Sequence, residues 1–525
     1  MKVKIKSFFK KYFWLILIVA IGATLRLYKL SSIPLSLNWD ETAIGWNAKT
    51  LFHTRRDEYG TLLPLSFKSF SDHKAPFLVY LTAPFVGLLG LKEWVVRLPS
   101  VLAGLITIIV AYFLSLEIGV SQNLKQKSRK MLATVSSTFI ALSTWHTYFS
   151  RPAFESNVAL MWLTLGVWLF LLSLKNFNLI FLSGLSFILS IYTYHSPKII
   201  LPIFLPIIFL LYKKELLKPI KKNLKFYLTS SAILLITVIP ILKVNLNQEA
   251  SSRAKSTIIL YDDNANPKPL NRELLGKFIS NYSLHLTPKS FIKGNSDNYR
   301  LSMKNNGLMP VVQYLLFLIG LIFLLKNHKN KTSILLISWF LLSFLPSALG
   351  KDIVPNNIRS LNSLVPILLI SALGFVKIWE LIKPKKARNI VILVIIIFYF
   401  CGIIKALKEY FIDFPNYSAQ DWQYGYKQAV QVVKSHEHEV DSIIITTHYG
   451  QPHIFTYFFQ NRKPLDVFWG SMISYQFKKI DWSTLINQQN QLIIATPEEI
   501  SPKDPKVIDI INFPDNTTAF VVVKT

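Results

Sequence analysis

The chain has 525 residues, of which 51% are hydrophobic, and its 58 Lys and Arg against 29 Asp and Glu give a formal charge of +29. Apolar content on that scale, recurring in runs of about twenty residues, is the composition of a protein that crosses a bilayer many times and excludes an ordinary soluble enzyme. The charge would suit nucleic acid in a soluble protein, but here the lysines cluster in short loops between apolar runs, where they set topology, so no nucleic-acid partner is expected.

In chain order the apolar runs fall at 13–30, 97–117, 132–148, 157–174, 177–193, 198–212, 226–243, 310–325, 333–349, 360–379 and 389–407, which predicts about eleven transmembrane helices. The N-terminal lysines and first run resemble a signal peptide, yet no small-residue cleavage site follows, so the first helix is expected to be retained. A cytoplasmic N-terminus puts Lys125 to Lys130, Lys213 to Lys225, Lys326 to Lys331 and Lys383 to Arg388 inside, which the positive-inside rule requires. A twelfth span at 76–91 would invert all of these clusters. That segment is therefore predicted to be a helix lying in the outer membrane interface. Cys401, the single cysteine, lies within an apolar run and reads as a core thiol, so no disulfide framework exists.

From about residue 408 the composition changes: acids slightly outnumber bases, and the positive surplus belongs to the preceding 407 residues. Short β-rich runs at 442–447, 492–495 and 519–523 alternate with helical patterns at 426–434 and 453–459. A membrane domain over 1–407 and a small extracytoplasmic α/β domain over 408–525 are predicted, on the plasma membrane. Neither internal repeats nor a glycine-rich phosphate loop occurs, so ATP coupling is not expected.

The outer loops hold the chemistry-bearing residues. The first, 31–96, carries Asp40-Glu41, Arg55-Arg56-Asp57-Glu58 and Asp72-His73-Lys74-Ala75-Pro76, with Arg97-Leu98-Pro99-Ser100 at its close. Transfer of a sugar from a lipid phosphate needs a carboxylate to take the acceptor proton and cations to hold the departing phosphate. This loop supplies both. Arg97 reads as an interfacial anchor that snorkels toward headgroups. Asp40 and Glu41 also suit the first turn of a following helix, where acidic residues favour the positive end of the dipole.

Asp40-Glu41 after the first helix, Asp72 to Pro76 some thirty residues on, and Glu93 to Ser100 opening the second span together resemble the membrane glycosyltransferases of the GT-C fold. The branch is that of the protein O-mannosyltransferases and lipid A aminoarabinose transferases, which take polyprenyl-phosphate-linked sugars as donors. Further pieces are Tyr148 to Glu155, Asn281 to Pro288 with Gly294 and Asp297, and Pro355 to Arg359. The specificity lies in their order. The resemblance implies an all-α polytopic domain and an inverting transfer to a protein, lipid or glycan acceptor outside the cell.

Asp40 matches the family's base and Glu41 its second acidic residue, with an orienting role. Lys74 is the leading phosphate ligand and Arg359 the second; Asp72, His73, Arg151, Glu155 and His285 complete the expected donor phosphate and sugar set. In the aminoarabinose branch an arginine follows the aspartate by three residues; here Ala43 stands there, which argues against aminoarabinose and lipid A. The resemblance implies no cofactor and no metal, the alternative being a divalent cation between Asp40 and Glu155. His436-Glu437-His438-Glu439 reads as a solvated helix end. A secondary transporter or lipid flippase is the alternative function, but it would place its charges near the bilayer midplane, in repeated halves.

Overall fold

A computed structural model of the chain describes residues 2–70, 72–246, 255, 257–294, 298–468 and 474–525. Helix α1 (Lys2–Leu27) is followed by α2 (Trp39–Thr54), the strands β1 (Phe67–Ser69) and β2 (Asp72–Lys74), α3 (Phe77–Leu89) and α4 (Glu93–Ser121). Helices Gln126–Leu142, Glu155–Ser173, Leu179–Thr193, Ser196–Lys222, Leu224–Leu246, Val311–Lys326, Lys331–Leu342, Leu364–Leu381 and Lys385–Lys408 come next. Each of the eleven apolar runs overlaps helix, although 132–148 is broken at Ser143 and 333–349 after Leu342. Among the described residues six helices are long and apolar enough to cross a membrane by length and composition: Glu93–Ser121, Glu155–Ser173, Leu224–Val244, Lys331–Ala348, Leu361–Leu381 and Lys385–Tyr417. The chain is a multi-pass membrane protein. The basic stretch after residue 212 is not a loop but a continuation of Ser196–Lys222 beyond a kink at Tyr212.

The chain forms two compact units, Met1–Tyr28 with Ser100–Asp297 and Leu301–Glu409, and Lys29–Pro99 with Asn298–Arg300 and Tyr410–Thr525. In the first, hydroxyls inside apolar helices bond back to the carbonyl one turn earlier, as Thr107 does to Ala103, Thr164 to Leu160 and Ser371 to Ile367. This satisfies them where neither lipid nor an apolar neighbour offers a partner. Helices Val311–Lys326 and Leu364–Leu381 cross at Gly320 and Gly374. A Cβ at either would sit 1.9 Å from a carbonyl oxygen of the other helix, so only glycine permits the approach. Helix Lys385–Lys408 is peripheral and most of its apolar side chains are exposed. Cys401 is among them, which corrects the expected core thiol: an apolar run in a membrane protein faces lipid as readily as protein.

The second unit is built on a five-stranded sheet of β3 (Ser442–Thr446), β4 (Tyr475–Lys478), β5 (Gln491–Ala495), β6 (Val507–Asn512) and β7 (Thr518–Lys524), in the order β4-β3-β5-β7-β6. β4, β3 and β5 are parallel, and β7 is antiparallel to both β5 and β6. Strand alternation divides its apolar residues between two faces. Ile443, Ile445, Leu492, Ile494 and Val522 face one core; Ile444, Ile493, Ala495, Val521 and Val523 face the other. The first core also takes Ala43 and Trp46 from α2 and Tyr426 and Phe455 from helices Tyr426–His436 and Pro452–Phe459. Trp46 and Tyr426 are 380 residues apart in sequence, yet α2 packs as a helix of the sheet domain. Gly45 allows this, since a Cβ there would meet Phe458 and Val96 at 2.7 Å.

Candidate functional site

The site begins at the start of α2. Asn38 caps the helix: its side-chain oxygen accepts from the backbone N–H of Asp40 at 2.9 Å and of Glu41 at 3.0 Å, while its own N–H donates to Glu41 Oε2 at 3.3 Å. This reciprocal box leaves Asp40 in the first helical turn, at the positive end of the helix dipole. Trp39 is held just ahead of it. Its N–H donates to Gln423 Oε1 at 2.7 Å, Gln423 Nε2 donates to the Tyr449 carbonyl at 2.8 Å, and the Arg300 guanidinium lies 4.5 Å from the Trp39 ring centre.

The two acids of the pair have different surroundings. Glu41 and Arg97 are both fully buried and meet in a two-pronged ion pair, Nε to Oε1 at 2.9 Å and Nη2 to Oε2 at 3.2 Å. Arg97 also donates to the carbonyls of Leu30 at 2.8 Å, Pro34 at 3.1 Å and Ser36 at 2.6 Å. This overturns its reading as an interfacial anchor: a guanidinium with no exposed surface and five protein bonds has nothing left to offer a headgroup. It ties the loop 30–36 to the first turn of α2. Asp40 instead keeps about a third of its side-chain surface exposed and is ion-paired with Lys74, which is nearly buried.

Lys74 reaches Asp40 because β1 and β2 pair as a short antiparallel hairpin with Phe67 opposite Lys74. The Phe70 ring lies 5.9 Å from its ammonium. His73, pointing the opposite way along the strand, approaches Ser66 Oγ at 3.2 Å. The Asp72 side chain and Asp297 lie outside the described residues. Among the described residues no group of three or more His, Cys, Asp or Glu is gathered as a metal site.

Arg151, Glu155, His285 and Arg359 belong to the first unit. Arg151 is buried and donates to the carbonyls of Leu25 and Arg26 at 2.8 and 3.0 Å. Glu155 is the first residue of its helix. His285 is buried, stacks on Phe344 with ring centres 5.1 Å apart, and is held down to about 4 by that burial, so it is neutral. Arg359 sits 3.4 Å from Asp352.

Several residues at the site carried little sequence signal. Asn38 went unread although a signal for it was present, since Asn followed three residues later by Glu before an apolar stretch is a capping signature. Gln423 and Arg300 carried no such signal, since their roles depend on contacts with Trp39 across more than 250 residues. Glu58 is the other. Its Oε1 accepts from Asn47 at 3.1 Å and Ser69 at 3.3 Å, and burial pushes its carboxyl up to about 7 against the opposing pull of those bonds.

Comparison with protein-family models gives no match, and neither does comparison with curated protein sequences. Solved structures do match. The apo oligosaccharyltransferase of Archaeoglobus fulgidus superposes with a TM-score of 0.54 at 12% identity, over 98% of this chain and 75% of that one. AglB of the same organism, in complex with an inhibitory peptide and a dolichol-phosphate, gives 0.52 at 12% identity over 98% and 74%. ArnT from Cupriavidus metallidurans bound to undecaprenyl phosphate gives 0.51 at 12% identity over 98% of both chains. At such identities the match is one of fold, and the fold is GT-C, as the order of the sequence motifs implied.

Proposed function

We propose that this protein is an inverting glycosyltransferase that moves a sugar from a polyprenyl-phosphate carrier to an acceptor on the outer face of the plasma membrane. The observation that carries the reading is the Asp40–Lys74 ion pair at the start of α2. It joins the two kinds of group the transfer requires, in a chain sharing its fold with proteins solved bound to dolichol-phosphate and undecaprenyl phosphate. Asp40 is the base for the acceptor hydroxyl or amine, and Lys74 the ligand of the departing phosphate. An ion-paired carboxylate stays ionised but is a poorer proton acceptor than a free one. Movement of the Lys74 ammonium from Asp40 to the donor phosphate serves both ends of the reaction, holding the leaving group and freeing the base as donor binds.

In this reading Glu41 orients Asp40 through Arg97, and Asp72, His73, Arg151, Glu155, His285 and Arg359 serve the donor phosphate and sugar. Residues 1–407 form the transferase domain with eleven spans and a cytoplasmic N-terminus; the loop 31–96 and the domain 408–525 lie outside. Ala43 remains the reason to set aminoarabinose aside. The test is purified protein given labelled polyprenyl-phosphate sugars and a crude membrane fraction, wild type beside Asp40→Asn. Loss of a general base costs roughly 10²–10⁴-fold in rate. Transfer that survives the substitution removes Asp40 from the base role, and lipid translocation in proteoliposomes without any sugar transfer replaces the reading with a flippase.

A further inference from the structure

The second unit contains a cleft of about 440 Å3, within the range of small-molecule sites, lined by Arg56, Glu58, Tyr59, His453, Tyr457 and Phe468. Three features of its lining bear on what it takes. Tyr59, Tyr457 and Phe468 present aromatic surface, and Tyr59 is 55% exposed. Glu58 lines the cleft and takes its side-chain hydrogen bonds from Asn47 and Ser69 on Oε1, so that among the described residues Oε2 accepts from no protein donor. Asn47, which fixes Glu58 through both ends of its amide, is on α2 seven residues after Asp40. Two helical turns separate them, about 10 Å along one face of the same helix.

Flat apolar rings beside one unsatisfied hydroxyl acceptor suit a ligand with an apolar C–H face and a polar hydroxyl rim. We infer that this cleft is a subsite for a sugar ring of the substrate, one removed from the reacting group at Asp40, so that the enzyme acts on a glycan of more than one residue. The inference rests on the glycosyltransferase reading and deepens it. Tyr59 and Tyr457 stack on the ring and Glu58 Oε2 accepts from its hydroxyls; the spacing along α2 sets the distance from subsite to base. The ring can come from the acceptor or from an oligosaccharide on the lipid carrier, and the two sources share this chemistry.

Glu58 is faced by Asn47 from α2, Ser69 from β1, Lys74 from β2, Asp57 and Tyr59 beside it and Tyr457 from helix Pro452–Phe459, with Arg56 and His453 also lining the cleft. His453 is held down to about 4 by burial and stays neutral, and burial raises Tyr457, so neither changes charge near neutrality. Above about 7 the Glu58 carboxylate accepts from hydroxyls in charge-assisted bonds. Affinity for a sugar therefore rises with pH across that range.

The test is saturation-transfer NMR on the full chain in detergent micelles with methyl α-mannopyranoside and maltotriose as probes, at pH 6 and pH 8. Transfer to ring C–H protons in wild type, stronger at pH 8, is expected. Tyr59→Ala, a truncation at an exposed position, should weaken the affinity about threefold to tenfold. The isosteric Glu58→Gln should remove the pH dependence. Asp40→Asn should bind the probes as wild type does, because the subsite is apart from the base. Displacement of the probes by a polyprenyl-phosphate-linked oligosaccharide assigns the ring to the donor; displacement by carrier-free glycan from the membrane fraction but not by the lipid-linked one assigns it to the acceptor. No saturation transfer to either probe, or transfer unchanged in Tyr59→Ala and Glu58→Gln alike, overturns the subsite even if sugar transfer by the enzyme is demonstrated. Probe binding that depends on Tyr59 and Glu58 upholds it even if no transfer is found, in which case the catalytic reading alone fails.

Discussion

Replacing Glu41 with leucine removes the carboxylate that faces Arg97 and leaves a guanidinium with no solvent exposure. Three carbonyl bonds remain to it, but its two prongs toward Glu41 are lost, together with the bond that closes the Asn38 cap. Breaking one side of a buried ion pair costs about 3–5 kcal/mol, because the surviving charge is left uncompensated. At roughly 2–4 °C per kcal/mol for a domain of about 150–250 residues, the expected fall in Tm is on the order of 6–20 °C. Removing both partners, Glu41→Leu with Arg97→Met, should recover much of that loss, since an apolar pair of similar volume carries no desolvated charge. Tryptophan fluorescence follows the transition, because Trp46 is buried in the core that α2 shares with the sheet and packs against Tyr457 at 5.5 Å. A Glu41→Leu protein melting within about 2 °C of wild type, or a double variant as unstable as the sum of its singles, would refute the buried pair as the clamp on α2.

Other consequences are smaller or functional. Asn38→Ala removes the cap from two backbone donors and should cost about 1 kcal/mol, which Asn38→Asp should largely spare; equal losses in the two, read by the same melts, would contradict the capping role. Lys74→Ala should raise the apparent KM for the lipid-linked donor by at least about tenfold while leaving that for acceptor nearly unchanged, and a donor response like wild type would remove Lys74 from the phosphate site. Glu58 has its carboxyl raised from 4.5 to about 7 in the folded chain, so its contribution to stability is complete below 4.5 and is lost as pH rises through 7; Tm should fall over that window and Glu58→Gln should flatten the slope. A reporter fused after Lys125 should remain cytoplasmic, and its appearance on the cell exterior would invert the proposed topology.

The membrane helices were legible because a bilayer imposes one condition, about twenty apolar residues, that the chain must write out locally. Six of the eleven apolar runs lie on helices long and apolar enough to cross a membrane among the described residues, and strands at 442–446, 491–495 and 518–524 fall where β-branched runs announced them. β4 and β6 were missed: Tyr475–Lys478 is short and Val507–Asn512 alternates only weakly, so pairing with neighbours rather than propensity makes them strands. The basic residue Arg97 misled because charge beside a span start has two uses, and burial alone separates them. Cys401 misled for the complementary reason, since apolar neighbours in sequence do not distinguish lipid from protein.

For Asp40 and Glu41 the division is sharp. Their adjacency, their position after the first apolar run and their order relative to Lys74 were determined by sequence alone, and so was the expectation that one of them works as a base. Which residue each carboxylate meets was decided by tertiary structure. One residue along a helix turns a side chain by about 100°, so Glu41 points inward to Arg97 while Asp40 keeps a partly exposed face toward Lys74. The packing of α2 against a sheet nearly four hundred residues away in the chain then holds that difference in place, through contacts that no local pattern encodes.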